Sequence, residues 1–187
     1  MNRVGLRFNI YLCLGLAGFL AMGGPTGCRS GEELKKRYVR IRCYLEVNPD
    51  ASDHSHPITI GRKAPFVINV ERNPILTEMH VEEASLVEAL GGFQILIKLN
   101  PTGRLILEQY SIAEKGKRLA VLVDFGEPRW LAAPMLKQRI SNGELVFTPD
   151  ATREEAELIV DGINRAAKRV RKGRRLPRFR ENSILDK

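Results

Sequence analysis

The 187-residue chain carries 43% apolar side chains, enough for one domain with a full core. A net charge of +8 would suit a polyanion partner, but the charge is unevenly spread. Residues 165–187 hold ten Lys/Arg against two acids, and residues 1–27 hold two arginines and no acid, so residues 28–164 carry −2, which excludes a domain that is basic throughout.

In chain order, Arg3 and Arg7 come first, ahead of a mostly apolar run at residues 10–22. A run of that length suits an export signal and falls short of the roughly 20 residues that a membrane span needs. The stretch GPTGCRSGEELKK (residues 24–36) then passes from small residues to a cysteine to charge. It resembles the lipobox of bacterial lipoproteins, with Pro25 standing where that motif usually has leucine. The resemblance implies that residues 1–27 are a signal peptide, that Cys28 is lipidated and begins the mature chain, and that residues 28–36 form a polar tether. An ordinary cleaved signal and an uncleaved anchor are the alternatives. One acyl chain binds a membrane only marginally and two or more hold it, so a palmitate-type anchor would keep a soluble domain at a membrane face. With Cys13 removed and Cys28 acylated, Cys43 has no disulfide partner, and no cysteine-based zinc site can form.

Residues 39–47 alternate strictly, placing Val39, Ile41, Cys43, Leu45 and Val47 on one face. Tyr38, Arg40, Arg42, Tyr44 and Glu46 fall on the other, as in a strand buried on one side. Cys43 is then a buried structural thiol. Residues 48–57 read as a loop, followed by short strands at 58–60 and 65–71 and a helical turn capped by Thr77 through about Glu82. Apolar runs at 84–90 and 93–99 flank Gly91-Gly92, a hairpin signal. Asn100-Pro101 opens a helix closed by Gly116, with Leu105, Gln109 and Ile112 beside Ile106, Tyr110 and Ala113 as its apolar stripe. A hairpin over 119–124 and 129–136 turns at FGEP, and Asn142-Gly143 precedes a strand at 144–147. Thr152 and Glu155 form a capping box for a helix ending at Gly173. Its apolar side is Ala156, Ile159, Val160, Ile163, Ala167 and Val170. Residues 37–172 thus predict an α+β domain, a largely antiparallel sheet with two main helices. Residues 173–187 read as a basic tail.

The stretch GKRLAVLVDFGEPRWLAAPMLKQRISNGELVFTPDATREEAELIVDGIN (residues 116–164) resembles the periplasmic head subdomain of SecD and SecDF, accessory components of the protein-export machinery. The matching pieces are the strand at 116–124, the second strand ending in Ala133-Pro134, the Gly143 turn and Thr152-x-Glu154-Glu155-Ala156 opening the last helix. Residues 91–110 match the strand and early-glycine helix before them, so the likeness covers residues 74–170. It implies contact with exported polypeptide outside the membrane. It does not extend to the spans that draw on the proton gradient, since no run of about 20 apolar residues follows the signal.

Catalytic chemistry is hard to find. No phosphate loop, nucleophile elbow or zinc pattern occurs. Asp53, His54 and His56 in a loop read as solvated, and Glu154 and Glu155 occupy a helix first turn, where negative charge is favoured by the dipole. His80 reads as packed or exposed, Trp130 as a core or rim anchor. No enzyme activity, cofactor or metal is expected. The tail supplies Arg165, Lys168, Arg169, Arg171, Lys172, Arg174, Arg175, Arg178 and Arg180, either simply solvated or in contact with an anionic surface such as lipid or cell-wall polymer. Export makes nucleic acid an unsuitable partner. The expected protein is a lipid-anchored envelope module, facing the periplasm or exterior, that touches exported polypeptides or an envelope protein complex. The alternative is a structural lipoprotein whose basic tail does the binding.

Overall fold

The computed structural model describes residues 38–49, 54–124 and 128–176. Cys28 with the signal and tether, Asp53, most of FGEP, and the tail from 177 onward with Arg178 and Arg180 lie outside the described residues.

Strand β1 (Arg40–Val47) occupies the middle of a six-stranded sheet. On one side it pairs antiparallel with β7 (Leu119–Asp124), in register from Arg40↔Asp124 to Leu45↔Leu119, and β7 continues to β8 (Pro128–Ala132). The other side of β1 is shared. The short β4 (Leu76–Thr77) meets Arg42 and Cys43, while β3 (Phe66–Glu71) meets Glu46 and Val47 and carries β2 (Ser55–Ile60) as its outer neighbour. A second sheet holds β5 (Val81–Ala89), β6 (Gly92–Leu99) and β9 (Glu144–Phe147), in that order. Helices α1 (Pro101–Ala113) and α2 (Arg153–Arg171) complete the domain. Every strand pairing is antiparallel, so the fold is α+β as the sequence predicts.

The alternating face of β1 reaches the main core, where Ile41, Cys43 and Leu45 meet Ile95 and Ile97 of the small sheet and Ile159 and Ile163 of α2. The opposite face is not simply solvated. Tyr44 is 3% exposed, because the large sheet curls until β2 approaches β8 and encloses a second core. Ile58, Ile60, Ile68, Val70, Ala120, Leu122 and Trp130 fill it, and the Tyr44 and Trp130 rings meet edge to face at 5.3 Å. Period two identifies faces, but not that a sheet will fold over its own back.

Four boundaries differ from the sequence reading. Residues 55–57 belong to β2 rather than to a loop. The turn capped by Thr77 is a 3-10 turn over Glu78–His80, and the chain is already extended at Val81. β8 ends at Ala132, with only an isolated bridge between Arg118 and Met135 beyond it. Ala89 pairs with Gly92, so the first hairpin turns on Leu90-Gly91, with Gly91 at φ 85°.

The α1 stripe requires a larger correction. Gly103, Leu107 and Ser111 face inward, while Leu105 and Ile112 are 65% and 56% exposed. Ile106 and Tyr110 of the expected stripe do pack against the main core beside Leu107, and small residues let the helix come close. A Cβ at Gly103 would stand 2.8 Å from His80 Cβ, and Ser111 Oγ accepts the Ile140 N–H at 2.9 Å. Close approach and a buried hydroxyl partner outweigh the hydrophobic periodicity. The cap itself is as predicted, Asn100 Oδ1 accepting the Gly103 N–H at 2.9 Å.

Candidate functional site

Helix α2 begins at a complete capping box, Thr152 Oγ1 accepting the Glu155 N–H while Glu155 accepts the Thr152 N–H. Its buried stripe comprises Ala156, Ile159, Val160, Ile163, Ala166 and Ala167. Gly162 brings the helix against the start of the first strand, where the Val39 N–H donates to Gly162 O at 3.2 Å. The opposite flank of the helix meets the outer edge of β5. There Asn164 Oδ1 accepts the Ala84 N–H and Asn164 Nδ2 donates to Ala84 O, both at 2.8 Å. One amide side chain thus does for Ala84 what a neighbouring strand would do.

The edge changes character on either side of that plug. Toward the Leu90-Gly91 turn, the alternation of an antiparallel ladder directs the backbone groups of Leu86 and Glu88, like those of Ala84, away from β6. In the other direction the ladder slips between Val81 and Glu83, a bulge of the kind that re-aims side chains. Beyond Asn164 lies an open cleft of about 390 Å³. Glu82 and Glu83 of β5 line one wall, Lys168 and Arg171 of α2 the other, and all four are exposed. Among the described residues Glu82, Lys168 and Arg171 form no ion pair, while Glu83 meets Lys98 at 3.9 Å.

The predicted anionic-surface residues divide into three groups. Arg169 is part of the fold: its Nη1 donates to Tyr38 Oη at 3.2 Å, its guanidinium lies 5.1 Å from the Tyr38 ring centre, and its Nε donates to Arg175 O. Arg165 is half-buried and already engaged. Lys168, Arg171, Lys172, Arg174 and Arg175 are exposed around the C-terminal end of α2, where cations also suit the helix dipole. Tyr38, the first described residue, therefore lies on the same corner that carries the cleft and these cations.

Other singled-out residues are structural. Burial pushes the Cys43 thiol up to about 12. His80 completes the 3-10 turn, its Nδ1 accepting the Thr77 N–H at 3.1 Å, and burial lowers its pKa against a smaller opposing effect of Glu78. His54 sits in the turn before β2 and His56 within it, and no group of metal-ligating side chains occurs among the described residues. Glu154 stays in the first turn, its carboxyl held low by its own N–H and the Thr152 hydroxyl. Burial alone would raise Glu155, but hydrogen bonds from Arg129 and the Thr152 N–H outweigh it and hold the carboxyl low. Arg62 joins the same cluster, its backbone N–H donating to Asp150 Oδ2 at 2.8 Å and its Nη2 to Glu155 Oε2 at 3.2 Å.

Sequence reasoning missed Asn164, the β5 bulge and Arg62. Only Asn164 left a trace, as a poor helix former in mid-helix. Arg62 works across 88 and 93 residues, and nothing local announces that.

No protein-family model matches the sequence, and no curated protein shows significant similarity to it. Solved structures do. A crystal structure of SecDF in its super-membrane-facing form aligns at TM-score 0.53 and 18% identity over 71% of this chain and 20% of that one. A structure of SecDF described as a membrane component that enhances protein export aligns at TM-score 0.51 and 18% identity, over 71% of this chain and 65% of that one. This chain therefore spans less than two thirds of either. No helix among the described residues is long and apolar enough to cross a membrane. The chain has a SecD/SecDF-like α+β fold.

Proposed function

We infer that the protein is a lipid-anchored, non-catalytic module of the cell envelope that meets exported polypeptides or a protein-export complex. The observation that carries this reading is the SecDF-like fold across 71% of the chain. The lipobox-like residues before Cys28 support the anchor, and the sheet edges supply a chemistry for the contact.

The small sheet ends on β5 and β9, and each edge is partly closed by an asparagine. Asn164 occupies Ala84, and Asn142 Oδ1 accepts the outward Glu144 N–H at 3.1 Å. This shortening blunts edges that would otherwise aggregate. At the start of α2, Arg153 reaches the Glu88 carboxylate over this edge, so a strand added at Leu86 and Glu88 would displace that pair and gain up to four backbone hydrogen bonds. At about 0.5–1.5 kcal/mol net each, these give roughly 2–6 kcal/mol before ordering costs, so binding is on the order of tens of micromolar at best and quickly reversed. Backbone pairing is also blind to sequence, which suits a module meeting many clients.

Two measurements test the reading. Fluorescence anisotropy with the full chain in mild detergent should show binding of a reduced, unfolded secretory protein and none of its folded form; equal binding of both removes the polypeptide reading and leaves a structural lipoprotein. Labelling with a palmitate analogue should be lost in Cys28→Ser, and persistent labelling removes the anchor.

A further inference from the structure

We propose that the cleft between the β5 bulge and the last turns of α2 binds the phosphoethanolamine headgroup of a zwitterionic phospholipid, the ammonium between Glu82 and Glu83 and the phosphate on Lys168 and Arg171. The choice of a lipid rests on the anchor proposed at Cys28 and does not require polypeptide binding.

Opposite charges that line a cleft usually neutralise one another across it. Here the acidic wall and the basic wall are both solvent-exposed and no ion pair joins them, although Glu83 meets Lys98 of β6 at 3.9 Å. The floor cannot compete for a ligand, because both polar atoms of the Asn164 amide are committed to Ala84 at 2.8 Å. What enters must therefore carry both signs. A volume of about 390 Å³ is too small for a folded partner and ample for a headgroup with the start of its glycerol. A primary ammonium has three N–H donors for two carboxylates, and a phosphate accepts from ammonium and guanidinium together. A choline headgroup has no such donors, so the acidic wall selects against it.

The position of the cleft favours a lipid over a free metabolite. Tyr38, the first described residue, lies under Arg169 on this corner, and Lys172, Arg174 and Arg175 stand exposed beside it. Only ten residues separate Cys28 from Tyr38, a reach of at most about 36 Å. Under the anchor proposed at Cys28, the neighbouring cations would each add attraction to lipid phosphates.

The test is a nuclear magnetic resonance titration of the full chain in nonionic micelles, following the backbone amides of Glu82 and Ala84 and the side-chain amide of Asn164. Phosphoethanolamine should shift these signals at lower concentration than phosphocholine or inorganic phosphate, and micelles doped with phosphatidylethanolamine should shift them more than micelles doped with phosphatidylcholine. Glu82→Gln with Glu83→Gln should weaken phosphoethanolamine about fivefold, each exposed charge pair being worth a factor of roughly two to five, while strengthening inorganic phosphate and phosphatidylglycerol. Lys168→Ala with Arg171→Ala should weaken all of them. The proposal is overturned if the two glutamine changes strengthen every ligand alike, which marks a generic basic surface. It is also overturned if doped micelles have no effect, or if an unfolded peptide shifts the same amides and phosphoethanolamine does not.

Discussion

Gly162→Ala tests the docking of α2, on which both the Asn164 plug and the cleft depend. A Cβ at this position would stand 2.2 Å from Val39 Cγ2 and 2.9 Å from Val39 Cβ. Carbon atoms in contact settle at about 3.5–4.0 Å, so helix or strand must shift by on the order of 1 Å. Rotating Val39 does not clear the clash, because its Cβ is itself too close and a β-branched side chain has few alternatives. The shift would also lengthen the 3.2 Å hydrogen bond from the Val39 N–H to Gly162 O. Alanine gains about 1 kcal/mol over glycine in helix propensity, whereas overpacking costs about 1–3 kcal/mol. With the nearest contact so short, the upper part of that range applies, and the net loss is about 1–2 kcal/mol. Val39→Ala alone should cost about 2 kcal/mol by leaving a cavity. It removes the 2.2 Å contact and keeps the 2.9 Å one to Cβ, so adding Gly162→Ala to it should cost less than it does in the wild type. Urea melts read by Trp130, the chain's single tryptophan, measure all four states. If Gly162→Ala costs the same in both backgrounds, or stabilises the wild type, the described contact between α2 and Val39 is not what fixes the helix.

The remaining predictions concern the two cores and one titration. Tyr44→Ala should destabilise the domain by about 3 kcal/mol, comparably to a change on the main-core face of β1, because its ring is buried against Trp130; a loss under about 1 kcal/mol would mean that the sheet does not close over this face. Cys43 should react with a disulfide reagent only at the rate of unfolding, since its thiol is 3% exposed and burial raises it to about 12; prompt reaction in the native state contradicts that placement. His80 is held below its ordinary 6.5, so as pH falls the unfolded chain takes up the proton first. Stability is therefore complete above pH 6.5 and declines below it toward the depressed value, where the loss levels off. His56, also lowered, acts in the same window, while Glu155 acts only below the usual carboxylate range. His80→Gln, which can still accept the Thr77 N–H in the capping box, should flatten the slope just below pH 6.5 at little cost at pH 7.5. An unchanged slope removes His80 from the account.

Legibility in the sequence followed the range of the interactions. The caps at Asn100 and Thr152, the hairpin between β5 and β6, and the inner face of β1 are set by residues within a few positions of one another, and all were readable. The second core was not, because Tyr44, Ile58, Ile68 and Trp130 belong to four strands whose closure depends on sheet curvature. The α1 stripe was right at Ile106 and Tyr110 and misled at Leu105 and Ile112, because the buried face is centred on Gly103, Leu107 and Ser111, two of which carry little hydrophobic signal. At the candidate site the basic wall was visible as a charge run, but its acidic counterpart depends on a bulge at Glu82 and on an asparagine 80 residues away. Charge density alone also could not distinguish Arg169, stacked on Tyr38, from Lys168, which faces the cleft.

The proposed contact between this SecDF-like module and polypeptides in export can be tested by photo-crosslinking in cells. A photo-reactive residue replaces Leu90, the fully exposed tip of the hairpin between β5 and β6, or Lys137, an exposed position after β8, as the control. A secreted protein stalled in transit should form adducts at Leu90 and none at Lys137, and the adducts should disappear once that protein is released and folded. Adducts of equal yield at both positions, or adducts only with resident envelope proteins whether or not export is under way, would contradict the claim.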